Sequence, residues 1–243
     1  MSSISIIIPI YNEVEHITNL LNHLKNKASK NNNLEIIVVD GGSTDQSKQA
    51  VLNAQKDINN NTISVQYLLA NKGRAKQMNV GAQHATADIL YFLHADSYPP
   101  KNFDALIVDA VVNQKLAGCF KMKFDSKHFW LKLAGWLTQF SSKSCRGGDQ
   151  SQFITKSLFN ELGGYDETYV IYEDNDLISK LYAIKQFYVI QQSWIITSAR
   201  CYEKHGVFKL QMHYWTIHLK KWLGATPKQL NDYYFKHVSV KKS

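Results

Sequence analysis

Charged side chains that can bind phosphate and metal ions occur at three separate points in the first hundred residues. Lys72 and Arg74 flank a glycine before a helix-like segment, where two cations and the N–H groups of a helix N-terminus could bind phosphate. Asp40 and Asp96 each follow an apolar, strand-like run, and carboxylate oxygens are the ligands that Mg²⁺ prefers. These residue types indicate phosphate and metal chemistry, although loop cations are often only solvated and turn carboxylates often only cap a helix.

The spacing of apolar residues predicts the elements that would position these side chains. It predicts strands over 4–10, 34–39, 63–69 and 89–93, and helices over 14–28 and 75–85. Ser43 and Gln46 have capping-box spacing, which predicts that a second helix begins at Ser43. Because continuous apolar strands alternate with helices, we expect a Rossmann-like, mostly parallel twisted sheet covered by helices on both faces. Ligands of such sheets bind beyond the strand carboxyl ends, where Asp40 and Asp96 lie.

Five motifs together resemble the family 2 glycosyltransferases with the GT-A fold, over roughly residues 4–205. They are Pro9-Ile10-Tyr11-Asn12-Glu13, Asp40-Gly41-Gly42-Ser43-Thr44-Asp45, Lys72-Gly73-Arg74-Ala75 with Asn79 and Gly81, His94-Ala95-Asp96, and Glu173-Asp174. Two further segments, Gly147-Gly148-Asp149-Gln150 and Ser198-Ala199-Arg200, are similar to a bacterial subgroup of short, soluble members. The resemblance implies a hexosyltransferase-type enzyme that moves a sugar from a nucleoside diphosphate sugar to a hydroxyl acceptor, with inversion.

The alternation of strands and helices weakens after Pro99-Pro100, where we predict a helix over 102–113, a strand over 119–124 and an amphipathic stretch over 129–140. We therefore predict one domain over 1–205, with a nucleotide-binding half (1–98) and an acceptor half (99–205). A basic, amphipathic helical extension over 206–243 is expected to pack on the same domain.

The resemblance implies a donor site that recognises a base, a ribose and a diphosphate. Tyr11 would pack near the base and Asp40 would accept a hydrogen bond from it, although a loop aromatic and a turn carboxylate are the alternatives. The predicted donor-site residues are Pro9, Tyr11, Glu13, Asp40, Lys72, Arg74, His94, Asp96, Asp149, Gln150 and Arg200. Asp149 and Gln150 would contact the donor sugar or the acceptor, or form an ordinary turn.

The segment His94-Ala95-Asp96 stands at the position of the family's Asp-x-Asp metal motif, with histidine in place of the first acid. We expect Asp96 and two diphosphate oxygens to bind Mg²⁺ or Mn²⁺, with His94 supporting the site or contacting the ribose. A ligating imidazole would favour Mn²⁺. His205 could complete the coordination sphere from the C-terminal side, so whether either histidine binds metal is open.

Glu173 and Asp174 precede a helical stripe, where carboxylates also act as simple helix caps. The resemblance implies that Asp174 is the general base, with Glu173 as the alternate or as its orienting neighbour. Two other classes compete with this hypothesis. A catalytically silent module that docks on membranes or binds nucleotides remains open, and a nucleotidyltransferase is disfavoured because Tyr11-Asn12-Glu13 replaces the glycine-rich basic loop expected after its first strand.

Composition limits where such a protein would work. A chain of 243 residues with three cysteines fits a single globular domain in a reducing compartment, and no apolar run approaches the 18 or so residues of a membrane helix. We therefore predict a cytoplasmic protein that has no nucleic-acid partner. The net charge of +8 lies mostly in residues 200–243, which carry nine Lys and Arg against two acids.

The C-terminal segment has a narrow polar stripe on an otherwise apolar helix. The stripe is formed by Lys209, His213, Thr216 and Lys220, and aromatic residues surround it. Such a helix packs against the core, forms a homodimer contact or lies peripherally on the inner membrane surface, where it would suit a lipid-linked acceptor.

Overall fold

The computed structural model describes residues 2–147 and 150–239. The strands form one sheet in the order β3-β2-β1-β4-β7-β6-β8-β5. The strands are β1 Ser3–Ile10, β2 Asn33–Asp40, β3 Ile63–Leu69, β4 Ile89–Phe92, β5 Ser97–Tyr98, β6 Ala117–Phe124, β7 Gln152–Thr155 and β8 Tyr188–Thr197. The helices are α1 Val14–Lys27, α2 Ser47–Ile58, α3 Arg74–His84, α4 Phe103–Val112, α5 Phe129–Leu137, α6 Lys156–Glu161, α7 Glu173–Ala183, α8 Arg200–His205, α9 Val207–Trp222 and α10 Pro227–His237.

Strand β1 lies in the middle of the parallel part of the sheet and is buried on both faces. Ile6 and its even-numbered neighbours join the core formed with α1 and α2, whereas Ile7 joins the core formed with α3 and α7. This alternation follows from the two-residue period of a strand. It confirms the predicted sheet with helices on both faces, and explains why β1 is a continuous apolar run.

The second half of the chain completes the same sheet with mixed pairings. Strand β7 runs antiparallel to both β4 and β6, β5 runs antiparallel to β8, and β6 and β8 are parallel. Among the described strands four pairings are parallel and three are antiparallel. The strand predicted over 119–124 is confirmed as the larger part of β6. The proposed boundaries at 98/99 and 205/206 stay predictions.

The prediction that a helix begins at Ser43 is wrong, because α2 begins at Ser47. The Ser43 hydroxyl donates instead to Oδ1 of Asp40 over 2.7 Å and accepts from the N–H of Asn12 over 2.8 Å. The side chain that a capping box would need is therefore used to join two loops.

The C-terminal extension is a helical hairpin that packs on the rest of the protein. Leu210 of α9 lies in a buried cluster with Leu131 of α5, and Ile217 lies in another with Leu230 of α10. His213, predicted to be part of a polar stripe, faces α10, with Nδ1 2.9 Å from the Tyr233 hydroxyl. Within residues 2–147 and 150–239, no helix combines the length and the apolar character needed to cross a bilayer.

Candidate active site

The loops that follow β1 and β2 are bonded to each other. The N–H of Thr44 donates to Oδ1 of Asn12 over 2.8 Å, and the N–H of Glu13 donates to the Ser47 hydroxyl over 2.9 Å. Asn12 has a φ of 56°, a left-handed conformation that asparagine tolerates well. These bonds fix Tyr11 and Glu13 relative to the loop after β2, while Pro9 is buried in β1 opposite Val39.

Asp40 is 1% exposed, and protein donors reach both of its oxygens. The N–H and hydroxyl of Ser43 donate to Oδ1, and the Tyr67 hydroxyl donates to Oδ2 over 2.8 Å. Burial, followed by the hydrogen bond to Asp40, raises the pKa of Tyr67 to about 12. The arrangement is that of a buried turn carboxylate, and Oδ2, which accepts one bond from a described residue, is the oxygen with capacity for a further donor.

Gln77 connects both strand ends to α3, and sequence analysis did not find it. Its buried amide nitrogen donates to the carbonyl oxygens of Ile10 over 2.8 Å and Val39 over 2.7 Å. A Cβ on Gly41 would lie 2.9 Å from Oε1 of Gln77, so a larger residue at position 41 would push the Gln77 amide away from its present place. A glutamine inside a helical stripe could have signalled the contact, since its neighbours Ala75 and Met78 are core residues.

The loop before α3 directs its two cations to different places. Nζ of Lys72 lies 3.7 Å from the centroid of the Tyr11 ring, a cation–π contact. Gly73 has a φ of 141°, which only glycine adopts readily, and Arg74 is the first residue of α3. Nε of Arg74 lies 2.7 Å from Oε1 of Glu173. Lys72 therefore contacts Tyr11, the aromatic residue predicted to bind the base. Arg74 instead contacts Glu173 at the start of α7, the helix that carries the predicted general base.

Arg200 joins two of the predicted donor-site acids. It donates to both carboxylate oxygens of Glu13, over 2.8 and 3.0 Å, and its Nε donates to Oδ2 of Asp96 over 3.1 Å. Burial opposes the charge of the guanidinium, but the bond to Glu13 and the charges of both acids raise the pKa of Arg200 above its ordinary value. The loops after β1 and β4 and the start of α8 thus meet at one charge cluster.

Glu173 and Asp174 begin α7 and are both buried. Burial is the main cause that raises the pKa of Glu173 to about 7; Arg74 opposes this shift and Asp174 adds to it. Apart from the ion pair with Arg74, no described residue gives either oxygen of Glu173 a well-directed hydrogen bond. Burial, followed by the charges of Asp174 and Glu173, also raises the pKa of the Tyr165 phenol.

Tyr234 of α10 packs against both C-terminal hydrophobic clusters, and sequence analysis missed this residue. Burial raises the pKa of its phenol; the charge of Arg74 opposes the shift, and Cys201 and Glu173 add to it. Tyr234 lies four residues from both Leu230 and Val238, which are buried. This helical spacing could have predicted that Tyr234 lies on the inner face of the helix.

No hydrogen bond between described residues joins Gln150 to the cluster of Glu13, Asp96 and Arg200. Gln150 is buried and its amide is used within the protein, since Oε1 accepts from Arg146 over 3.1 Å and Nε2 donates to the Cys145 carbonyl over 3.1 Å. Arg146, which the sequence analysis did not single out, is itself buried and also donates to the Thr138 and Phe140 carbonyls. Asp149 lies outside the described residues. The sugar-contact roles of Gln150 and Asp149 stay predictions.

The acids and histidines offer few ligands for a divalent metal. In the part of the chain that the structure describes, no three His, Cys, Asp or Glu side chains are grouped closely enough to hold an ion. No hydrogen bond or ion pair between described residues joins His205 to Asp96, and the charge of His205 acts instead on His213. His94 is half-buried beside Asp96 in the chain. Asp96 alone would supply one carboxylate ligand. Such a site fits a metal ion whose other ligands are diphosphate oxygens and water.

The first four strands of the sheet pair in parallel, and a charge cluster lies beyond their carboxyl ends, as the resemblance to GT-A glycosyltransferases implies. The model of the family described as Glycosyl transferase family 2 matches residues 5–162. The chain belongs to this family, which confirms the resemblance recognised in its motifs.

Solved structures of similar fold test the predicted fold class. The 1–349 fragment of TarS of S. aureus, in complex with UDP, superposes with a TM-score of 0.62 at 20% identity, over 82% of this chain and 60% of that fragment. The mannosyltransferase PcManGT of Pyrobaculum calidifontis, in complex with GDP-Man and Mn²⁺, superposes with a TM-score of 0.64 at 20% identity, over 88% of this chain and 59% of that protein. The likeness to both structures shows that the fold is shared, and the predicted fold class is confirmed.

A curated relative from Methanococcus voltae is similar in sequence over a shorter stretch. This dolichyl N-acetyl-alpha-D-glucosaminyl phosphate 3-beta-D-2,3-diacetamido-2,3-dideoxy-beta-D-glucuronosyltransferase is 33% identical over 103 residues. The match covers 42% of this chain and 32% of the relative. The chain thus spans about a third of this relative and about three fifths of the solved structures.

Proposed function

We propose that the protein transfers a hexose-type sugar from a nucleoside diphosphate sugar to a hydroxyl acceptor, with inversion at the anomeric carbon. The observation that carries this proposal is the cluster of Glu13, Asp96 and Arg200 beyond the strand carboxyl ends. It combines an acid able to bind a metal and a cation able to bind phosphate, next to the aromatic Tyr11. The complexes of similar proteins with UDP and GDP-Man support the donor class.

Asp96 is the proposed protein ligand of Mn²⁺ or Mg²⁺. Its Oδ2 is bonded to Arg200, and no described residue donates a hydrogen bond to Oδ1, so a hard cation can bind there. The metal would neutralise negative charge on the diphosphate as it leaves. The structure of PcManGT with Mn²⁺ supports a divalent metal, while the ligand roles of His94 and His205 stay predictions.

The proposed donor contacts use the residues already held by the two bonded loops. Tyr11, whose ring Lys72 contacts, would pack on the base, and Asp40 would accept from the base through Oδ2, which has one described donor. When a diphosphate binds, Arg200 can exchange its carboxylate partners for phosphate oxygens, since both anions suit its planar fork. Arg74 holds Glu173 through Nε and so positions α7, and its contact with phosphate stays a prediction.

Asp174 is the proposed general base. In a single displacement the acceptor oxygen bonds to the anomeric carbon while the bond from that carbon to the diphosphate oxygen breaks, and the bonding pair leaves with the diphosphate. The acceptor proton goes to Asp174, which is buried at the start of α7 and accepts no hydrogen bond from a described residue. Glu173, anchored by Arg74, would hold α7 in place beside the acceptor hydroxyl.

The acceptor class is proposed from the curated relative, whose name specifies a dolichyl phosphate-linked sugar. A lipid-linked acceptor presents its hydroxyl at a membrane surface, which fits a cytoplasmic enzyme on the inner membrane face.

A thermal-shift screen with nucleoside diphosphates, with and without Mn²⁺, tests the proposed function first. A diphosphate present at 100 times its dissociation constant should stabilise the fold by about 2.7 kcal/mol. We expect one diphosphate to stabilise the wild type, more strongly with Mn²⁺ than with EDTA. The matching nucleotide sugar should then be turned over with release of that diphosphate. No response to any nucleotide would overturn the proposal and favour a catalytically silent module.

A further inference from the structure

The outer face of α9 carries a continuous apolar stripe that no described part of the protein covers. The stripe repeats every three or four residues, the spacing of one helix face. Its members and their exposed fractions are Phe208 63%, Met212 63%, Trp215 54%, Leu219 54% and Trp222 81%. Leu223, just after the helix, is 69% exposed. The stripe follows α9 along its whole length, about 24 Å.

This face is distinct from the face that packs on the protein. Leu210 and Ile217, the buried residues of α9, contact α5 and α10 through the two C-terminal clusters. The stripe adjoins the start of α5, because the Trp130 ring lies 5.7 Å from Trp215 and 6.2 Å from Phe208. Phe129, next to Trp130, is also exposed. Burial of α9 against the core therefore leaves a second apolar face that is available to a partner.

The positive charge next to the stripe indicates which kind of partner the stripe fits. Lys209 and Lys220 are exposed on one flank of α9, about 100° around the helix from the stripe. Residues 200–243 carry nine Lys and Arg and two acids. A second copy of the chain would bring the same excess positive charge to the interface, which opposes a face-to-face dimer. An anionic lipid surface attracts these lysines, and its interior accepts the aromatic side chains.

We propose that α9 docks on anionic phospholipid membranes, lying parallel to the surface with its stripe in the acyl boundary and its lysines at the headgroups. Trp215 and Trp222 serve as interfacial anchors. Only Gly206 separates α9 from α8, which begins with Arg200 of the charge cluster, so docking places that cluster close to the membrane. The docking inference does not rest on the proposed transferase activity.

Vesicle flotation with the full chain tests the proposal. We expect binding to vesicles of one part phosphatidylglycerol and two parts phosphatidylcholine, and much weaker binding to phosphatidylcholine alone. The triple variant Met212→Ser, Leu219→Ser, Trp222→Ser should lose at least roughly tenfold in partitioning, because three exposed apolar side chains no longer enter the membrane. The double variant Lys209→Glu, Lys220→Glu should lose a similar factor on the anionic vesicles only.

A matched control is the double variant Leu69→Ser, Val112→Ser, which removes apolar side chains of 70% and 69% exposure outside α9. It should bind like the wild type. The proposal is overturned if the wild type does not float with anionic vesicles, or if the triple variant floats as well as the control. It is also overturned if the wild type is a dimer without lipid and the triple variant is a monomer, since a second copy would then cover the stripe.

Discussion

Arg200 donates from Nε to Oδ2 of Asp96 over 3.1 Å and, at the same time, holds both carboxylate oxygens of Glu13. The acid proposed to bind a metal is therefore already paired with a cation that lies 104 residues later in the chain. A divalent ion alone would compete with this guanidinium for Asp96. A metal that arrives with a diphosphate offers Arg200 phosphate oxygens in exchange, so the site favours the metal–nucleotide complex over the bare ion.

The Arg200→Ala variant should change the binding of metal and nucleotide in opposite directions. Mn²⁺ alone should bind more tightly by roughly fivefold, since a partly exposed ion pair worth about 1 kcal/mol no longer competes for Asp96. The nucleoside diphosphate with Mn²⁺ should bind more weakly, because a phosphate-binding cation is lost. Electron paramagnetic resonance of Mn²⁺ and calorimetry of the nucleotide measure the two constants. Shifts in the same direction would show that Arg200 does not exchange partners.

The Asp174→Asn variant should reduce turnover by about 10²- to 10⁴-fold and leave donor affinity nearly unchanged, because the amide cannot accept the acceptor proton. Asp176→Asn is the matched control, since Asp176 lies in the same helical turn but pairs with Lys180 over 3.2 Å. It should retain turnover close to the wild type. Equal turnover in the Asp174→Asn variant and the wild type would remove Asp174 from the mechanism.

Glu173 should make stability depend on pH, because its pKa rises from 4.5 in the unfolded chain to about 7 in the folded protein. The folded state holds this proton more tightly, so the contribution of Glu173 is fully present below about pH 4.5 and is lost as the pH rises through about 7. The wild type should therefore lose stability relative to Glu173→Gln between about pH 5 and pH 8. Denaturant unfolding of both proteins measures this difference, and parallel pH curves would contradict the assignment.

Gln77→Leu should destabilise the protein by about 2 to 4 kcal/mol. The substitution leaves the buried carbonyl oxygens of Ile10 and Val39 without their donor, and each such loss costs about 1 to 3 kcal/mol. Gln49→Leu is the control, because Gln49 is exposed on α2 and bonds only to Asn53 within that helix. Urea unfolding should place the control within about 0.5 kcal/mol of the wild type. Equal stability of the two variants would contradict the structural role of Gln77.

Local patterns predicted much of the fold because they reflect burial directly. The run from Ile4 to Ile10 is buried on both faces. A nearly continuous apolar stretch of this kind is typical of a buried strand in a parallel sheet. The capping-box pattern at Ser43 failed because the same hydroxyl can bond to a helix N–H or to a distant loop. Sequence spacing does not distinguish these two outcomes.

The candidate site was predictable only in part. Motifs identified Asp96, Arg200 and Glu13 separately, but their pairing depends on how β1, β4 and α8 come together. Gln77 and Tyr234 were missed because a buried amide and a buried phenol look, in sequence, like ordinary members of a helix. Their roles follow from tertiary contacts, which a single sequence does not encode in its local pattern.

Calorimetric titration with the nucleoside diphosphate selected by the thermal-shift screen tests the central claim most directly. The wild type and Asp96→Asn would each be titrated with Mn²⁺ and with EDTA. We predict binding to the wild type that weakens sharply in EDTA, and binding to Asp96→Asn that is weak in both conditions. Equal affinity of both proteins with Mn²⁺ would contradict the account, because Asp96 would then have no part in holding the metal-bound diphosphate.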